Sequence, residues 1–426
     1  MENRRTFIKK TALSTAGVSL GASAVSARSY RRILGANDRV TMAVIGLRGR
    51  GKGLMTSFSE MYDDGVFVKT VCDVDTQFFD ASVELVAENQ KGKKPGSVQD
   101  MRKVFEDPEI DAVAMATPNH WHALGTIWAV HAGKHVYVEK PSSHNIWEGR
   151  KMVEAARKYN RVVQVGFQNR SNSSVMQAMN FLHDGGIGDV FMARGTCFKP
   201  RDSFGISPDS EAPATLDYDM WLGPCTYRPY NEKRGHYNWH WHWNTGNGDI
   251  GNQGPHQFDV ARWGLNKRNH PVKVQSMGGI FGISPHGCSQ ETPNTQTSLF
   301  EYADGKILEF ETRGRFTNHE ANLGVKIGNI FYGSEGWLEI NGSQWKAYKE
   351  REEEPFAGSD MEVEGAAVGG DKSFRAAPSS GGHFANFIDA VRTGDPGDLN
   401  CDILEGHMST ALPHLGNIAY RVGETL

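Results

Sequence analysis

The residues best suited to chemistry fall into three groups along the 426-residue chain. The first is a glycine turn, Gly46-Leu47-Arg48-Gly49-Arg50-Gly51, directly after the apolar, β-branched run Val40-Thr41-Met42-Ala43-Val44-Ile45. A strand, a glycine turn and a helix start together form a place where a pyrophosphate meets unpaired backbone N–H groups. Arg48 occupies the position where the usual G-x-G-x-x-G pattern has its second glycine, and Arg48 and Arg50 both offer charge to a phosphate. Asp73, at the end of the next apolar run and 27 residues after Gly46, supplies a carboxylate suited to ribose hydroxyls and repellent to a 2′-phosphate. Turn and acid together point to NAD. The second group is Thr117-Pro118-Asn119-His120-Trp121-His122 and Glu139-Lys140-Pro141, each leaving a strand at the edge where ligands of open α/β sheets bind. The third is the stretch from Gly246 to Asp259, where Asn252 and His256 are four residues apart and share a helix face. An imidazole there has an ordinary pKa near 6.5, suited to moving a proton.

These groups need elements to hold them. Apolar runs at 40–45, 65–72, 111–116, 135–138 and 162–165 alternate with helical spacing at 52–62, 78–88, 121–132 and 147–159, which predicts a parallel Rossmann sheet with crossover helices. After Gln168 and a helix at 174–182 the pattern changes. Runs at 190–198, 272–281, 297–302, 306–311, 329–332 and 337–340 alternate apolar and polar residues, as in a mainly antiparallel sheet with one solvated face. The expected organisation is an α/β Rossmann domain over 28–168 and an α+β substrate domain over 169–426. Residues 350–382 are rich in Glu, Gly, Ala and Ser and read as an exposed excursion; helices are expected at 383–392 and 406–422. Asn238–Trp243 alternates aromatic and histidine residues, which as a strand would show three tryptophans on one face.

The N-terminus carries an address. Arg4-Arg5 precede Thr6-Phe7-Ile8-Lys9-Lys10, then a weakly apolar run closing on Ala22-Ser23-Ala24 and Val25-Ser26-Ala27. This resembles a Tat signal over 1–27 and implies a periplasmic protein folded around its cofactor before export. The formal charge of −4 gives no reason to expect nucleic acid as a partner. No other run is long enough for a membrane span. Five cysteines, widely spaced and without C-x-x-C, read as isolated thiols rather than a disulfide framework. His236, His240 and His242 lack an accompanying carboxylate pattern, so no metal site is expected.

The glycine turn, Cys72-Asp73-Val74-Asp75, Thr117-Pro118-Asn119, Gly133-Lys134-His135-Val136 and Glu139-Lys140-Pro141 together make the chain resemble the Gfo/Idh/MocA family of sugar and inositol dehydrogenases. The resemblance implies that Lys140 lies by the nicotinamide ribose and the reacting hydroxyl, that His122 lies near the cofactor, and that His256 is the general base. It implies cofactor contacts from Gly46, Arg48, Gly49, Arg50, Gly51, Asp73, Thr117, Pro118, Asn119 and Glu139. Arg170, Asn252, Asp259 and Trp243 are the expected substrate contacts. The family commonly has Asp where this chain has Asn252, and an amide cannot stabilise an imidazolium by charge. The expected activity is hydride transfer between tightly bound NAD and a secondary hydroxyl of a sugar or glycoside, at a ring carbon such as C3. The alternatives are a glycosidase that oxidises, eliminates, adds water and reduces with NAD recycled, or a sugar-binding protein without catalysis. A homodimer or homotetramer, built through the second-domain sheet, is also implied.

Overall fold

The computed structural model describes residues 39–284, 287–315, 326–341, 344–361 and 382–423. The Tat-like leader, and the excursion from 362 to 381, lie outside the described residues. Six strands, β1 (Val40–Ile45), β2 (Val66–Cys72), β3 (Gly96–Val98), β4 (Ala112–Met115), β5 (His135–Val138) and β6 (Val163–Val165), form one sheet in the order β3-β2-β1-β4-β5-β6. All its pairings are parallel. Crossover helices α1 (Arg50–Ser59), α2 (Phe79–Asn89), α3 (Met101–Glu106), α4 (Asn119–His131) and α5 (Ile146–Lys158) connect them. The order reverses between β1 and β4, the switch point where open α/β sheets bind ligands. Continuous apolar runs are what a strand buried on both faces requires, and β4 is buried at every position.

After α6 (Ser173–His183) the chain builds an eight-stranded sheet. Its order is β14-β13-β12-β11-β7-β10-β9-β8, with β7 (Val190–Phe198), β8 (Lys273–Gly279), β9 (Thr295–Glu301), β10 (Ile307–Arg313), β11 (Ile327–Gly333), β12 (Gly336–Ile340), β13 (Trp345–Tyr348) and β14 (Ala357–Gly358). Only β7 and β10 pair in parallel. One face of this sheet carries helices, among them α8 (Gly248–Asn252) and α9 (Gly254–Gly264), which lie after the short α7 (Tyr218–Leu222). Phe258, Phe300, Phe310 and Phe331 fill the layer between.

Three readings change. Strands β3, β13 and β14 are short and were not visible as hydrophobic runs; β14 returns the start of the 350–382 stretch to the sheet. Asn238–Trp243 is not extended: His236–Trp241 is a 3-10 turn. Helix α10 (Gly382–Thr393) returns to the first sheet, where Phe387 and Ile388 join Phe58 and Tyr137 in one core, and α11 (Ile403–Val422) closes the chain. All five cysteines are free.

Candidate functional site

The glycine turn is built on close backbone approach. Gly46 has φ +85°, and a Cβ there would sit 2.7 Å from the Ala116 carbonyl oxygen on β4's exit. A Cβ on Gly51 would come within 1.7 Å of the Gly46 oxygen, so helix α1 can start only with glycine at that point. Arg48 is exposed beside the cleft, and its carbonyl accepts from the Gly51 N–H at 2.7 Å. The Asp73 carboxylate accepts from Leu47 N–H at 2.8 Å and Asp75 N–H at 3.0 Å, which ties the acid to the turn. Burial pushes its carboxyl above the ordinary range while those two bonds oppose the shift.

Gly46, Arg48, Asp73, Thr117 and Pro118 line one wall of a cleft with about 870 Å³ of empty space, part of it open to solvent. The opposite wall was not foreseen. It is an aromatic arm, residues 199–247, contributing Leu216, Tyr218, Trp221, Tyr230 and Trp239. The arm is stitched to the first sheet's edge: Thr76 N–H donates to Thr215 O and Asp217 N–H to Val74 O, both at 2.9 Å. The Trp121 indole donates to the carbonyls of Met220 and Trp221 at 3.1 Å. Gly223 permits this approach, since a Cβ there would lie 2.0 Å from the Trp121 ring.

Lys140 and His256 come together at the sheet's C-terminal edge. The Lys140 ammonium donates to the main-chain oxygen of Asn252 at 2.6 Å, across 112 residues of sequence. Burial, more than any neighbour, pulls its pKa below the ordinary lysine value. His256 is held well below the usual imidazole range, first by burial and then by the Lys140 charge, so it is neutral. Its ring meets Phe167 edge to face at 6.1 Å. Asn252 and His256 lie on successive helices with Gln253 between them, because Pro255 near the start of α9 lacks an N–H for a continuous ladder. The 3-10 turn adds His240, stacked on Trp239 with ring centroids 3.5 Å apart. Arg201 pairs with Asp249 at 2.9 Å and lies near the Tyr237 hydroxyl at 3.2 Å, a group that no local motif announced.

Several expected contacts are turned inward. Glu139 accepts from Arg50 Nε (2.7 Å), Tyr137 OH (3.2 Å) and Gln168 Nε2 (3.1 Å), so Arg50 and Glu139 brace the turn against β5. His122 is buried with its ring nitrogens 2.6 Å from Pro141 O and 2.8 Å from Thr117 O, spanning the two loops that hold the site. Asn119 donates to Asn247 at 2.8 Å. Arg170, expected on substrate, forks onto Asp259 at 2.8–3.0 Å, and both are buried. Trp243 lies under the Arg421 guanidinium, 5.0 Å from ring centre to carbon, and does not line the cleft.

Residues 40–167 match the oxidoreductase family GFO_IDH_MocA, NAD-binding Rossmann fold, and residues 204–327 match its C-terminal alpha/beta domain. A glycosyl hydrolase family 109 protein of Shewanella pealeana is 29% identical over 204 residues, 44% of each chain. A levoglucosan dehydrogenase of Pseudarthrobacter phenanthrenivorans is 37% identical over 118 residues, 28% of this chain and 30% of its own. The chain thus matches less than half the length of these relatives. Among solved structures, a levoglucosan dehydrogenase with NADH and levoglucosan superimposes with a TM-score of 0.64 at 18% identity, covering 90% of this chain and 97% of that one. The WlbA dehydrogenase of Chromobacterium violaceum, with NADH and UDP-GlcNAcA, gives 0.63 at 19% identity over 91% and 95%. These similarities fix the fold, and the first sheet is an NAD-binding Rossmann domain.

Proposed function

The chain belongs to the Gfo/Idh/MocA oxidoreductase family, and from that premise we propose that it oxidises a secondary hydroxyl of a sugar or glycoside, at a ring carbon such as C3. One observation carries the reading: Lys140, half-buried and resting on the Asn252 carbonyl, and neutral His256 lie close enough beside the cofactor sheet for the lysine charge to act on the imidazole. The glycine turn would hold the pyrophosphate, Asp73 a ribose, and the cleft under the arm the adenosine end. NAD, when bound, accepts the hydride. His256 takes the hydroxyl proton as the C–H bond breaks and C=O forms, and the Lys140 ammonium stabilises the charge developing on that oxygen. His256 needs no carboxylate partner to remain a base, so Asn252 serves by its main chain.

The aromatic arm favours a second reading. A cofactor closed in at its adenosine end is suited to recycling, as in a glycosidase that oxidises, eliminates, hydrates and reduces on one NAD. Purified protein is denatured and its supernatant assayed for nicotinamide, then the intact protein is offered glycosides. Near-ultraviolet absorbance of reduced nicotinamide, lost in Lys140→Met, supports net oxidation; nitrophenol release from a chromogenic glycoside without added NAD supports recycling. Absence of both with every sugar sinks the proposal. The same reading includes Tat export, tested by trapping Arg4→Lys/Arg5→Lys protein in the cytoplasm. It also includes self-association through the sheet face on which Met277 (80%), Leu299 (41%) and Ile307 (37%) are exposed; light scattering measures it.

A further inference from the structure

His256 stands in the wall of a second cavity, partly open to solvent and of about 270 Å³, between α9, the start of α6 and strands β11 and β12. Five side-chain amides line it: Asn169, Gln253, Gln257, Asn329 and Asn341. Val175, Val260, Ile327 and Ile340 give it apolar surface, and no Asp, Glu, Lys or Arg lines it among the described residues. Gln257 is 5% exposed, and its Oε1 has no hydrogen-bond partner among the described residues. Asn329 Nδ2 donates to the Gln257 main-chain oxygen at 2.8 Å, which anchors α9 to β11 and leaves the Gln257 side-chain carbonyl unengaged.

The lining defines that ligand. An amide both donates and accepts, which matches the hydroxyls of a sugar ring, while aliphatic side chains suit the ring's C–H surface. A carboxylate or phosphate would meet no counter-charge among the described lining residues, which is unfavourable where the group leaves water. The geometry points to a subsite for a second, uncharged sugar ring: the reacting ring sits between Lys140 and His256, and its neighbour passes His256 into the amide-lined cavity. The substrate is then a neutral disaccharide or longer saccharide rather than a single ring. This rests on the sugar-oxidising reading above.

Steady-state kinetics would compare cellobiose, lactose, maltose and trehalose with the corresponding methyl glucosides and galactosides. Wild-type protein is expected to favour at least one disaccharide over its methyl glycoside tenfold or more in kcat/KM, chiefly through KM. Gln257→Met, close in length but without the amide, should cut that ratio at least fivefold. Asn341→Trp, at the exposed rim, should cut it as well without touching the core, and stands in should Gln257→Met fail to fold. A wild-type ratio near one overturns the subsite while leaving sugar oxidation intact. So do variants that lower both substrates equally. Absence of both nicotinamide reduction and glycoside cleavage with every sugar overturns both.

Discussion

A guanidinium that is 4% exposed keeps its charge against desolvation only because something compensates it. For Arg170 that is Asp259: burial works against the charge, and the carboxylate more than offsets it, leaving the arginine pKa above its ordinary value. Ser409 donates to the same carboxylate at 2.6 Å, and Arg262 donates to Ser409 at 2.9 Å, so the pair sits in a network reaching α11. Arg170→Met would strand Asp259 as a buried charge and should cost about 3–5 kcal/mol, read as a fall in the urea midpoint. Arg170→Met with Asp259→Leu should recover much of the loss. If the single variant melts like wild type, the pair has no structural role and the substrate reading of Arg170 returns. Residues 89 apart give no local sign that they will pair, which is why their types suggested substrate contact. Lys140 and His256 were legible because each sits in a short motif whose spacing fixes its place at a strand or helix end. That Lys140 would rest on the Asn252 main chain rather than on a side chain was not legible, since every residue has a carbonyl.

At the scale of elements, alternation between β1 and α5 announced the parallel sheet, because each strand buried on both faces must be apolar throughout. The alternation at Asn238–Trp243 does not become a strand for a related reason. Period-two alternation makes a strand only where a sheet edge can pair with it, and the arm lies over a cleft instead. There His240 Nδ1 reaches Tyr237 O at 2.7 Å, so the segment closes on itself as a turn. The arm's contribution to function follows from its position. Trp221 and Tyr218 stack at 5.7 Å and form part of the wall facing Asp73, with Trp121 anchoring the strip from below. If the adenosine end of NAD lies in this cleft, as proposed, removing one ring would lose apolar contact with it worth about 1–2 kcal/mol. Trp221→Ala should therefore release NAD about tenfold faster or more, measured by stopped-flow fluorescence of reduced cofactor. Unchanged release would show that the arm covers the cleft without holding its contents.

The whole molecule buries several histidines in neutral form, a property that no one site requires. His120, His383, His407 and His414 are 3–6% exposed, and burial lowers their pKa values to about 4, 3, 4 and 3 from the ordinary 6.5. Two of them join parts of the fold: His120 meets the arm at Trp221 O (2.9 Å), and His414 on α11 meets Ser143 O (3.0 Å) beyond β5. Above pH 6.5 these rings are neutral whether folded or unfolded, and pH has no leverage through them. Below it the unfolded chain takes up protons that the folded chain refuses, so stability rises with pH between the folded values and 6.5. Each ring contributes a slope of up to about 1.4 kcal/mol per pH unit in that window. Denaturant titrations from about pH 7 down to about pH 5 should show a steep, progressive loss, well above pH values at which carboxylates protonate. His414→Gln should flatten the slope by roughly one such share even if it lowers stability at neutral pH, because a glutamine does not titrate. A midpoint independent of pH across this window would mean that the buried rings are protonated as readily in the fold as outside it.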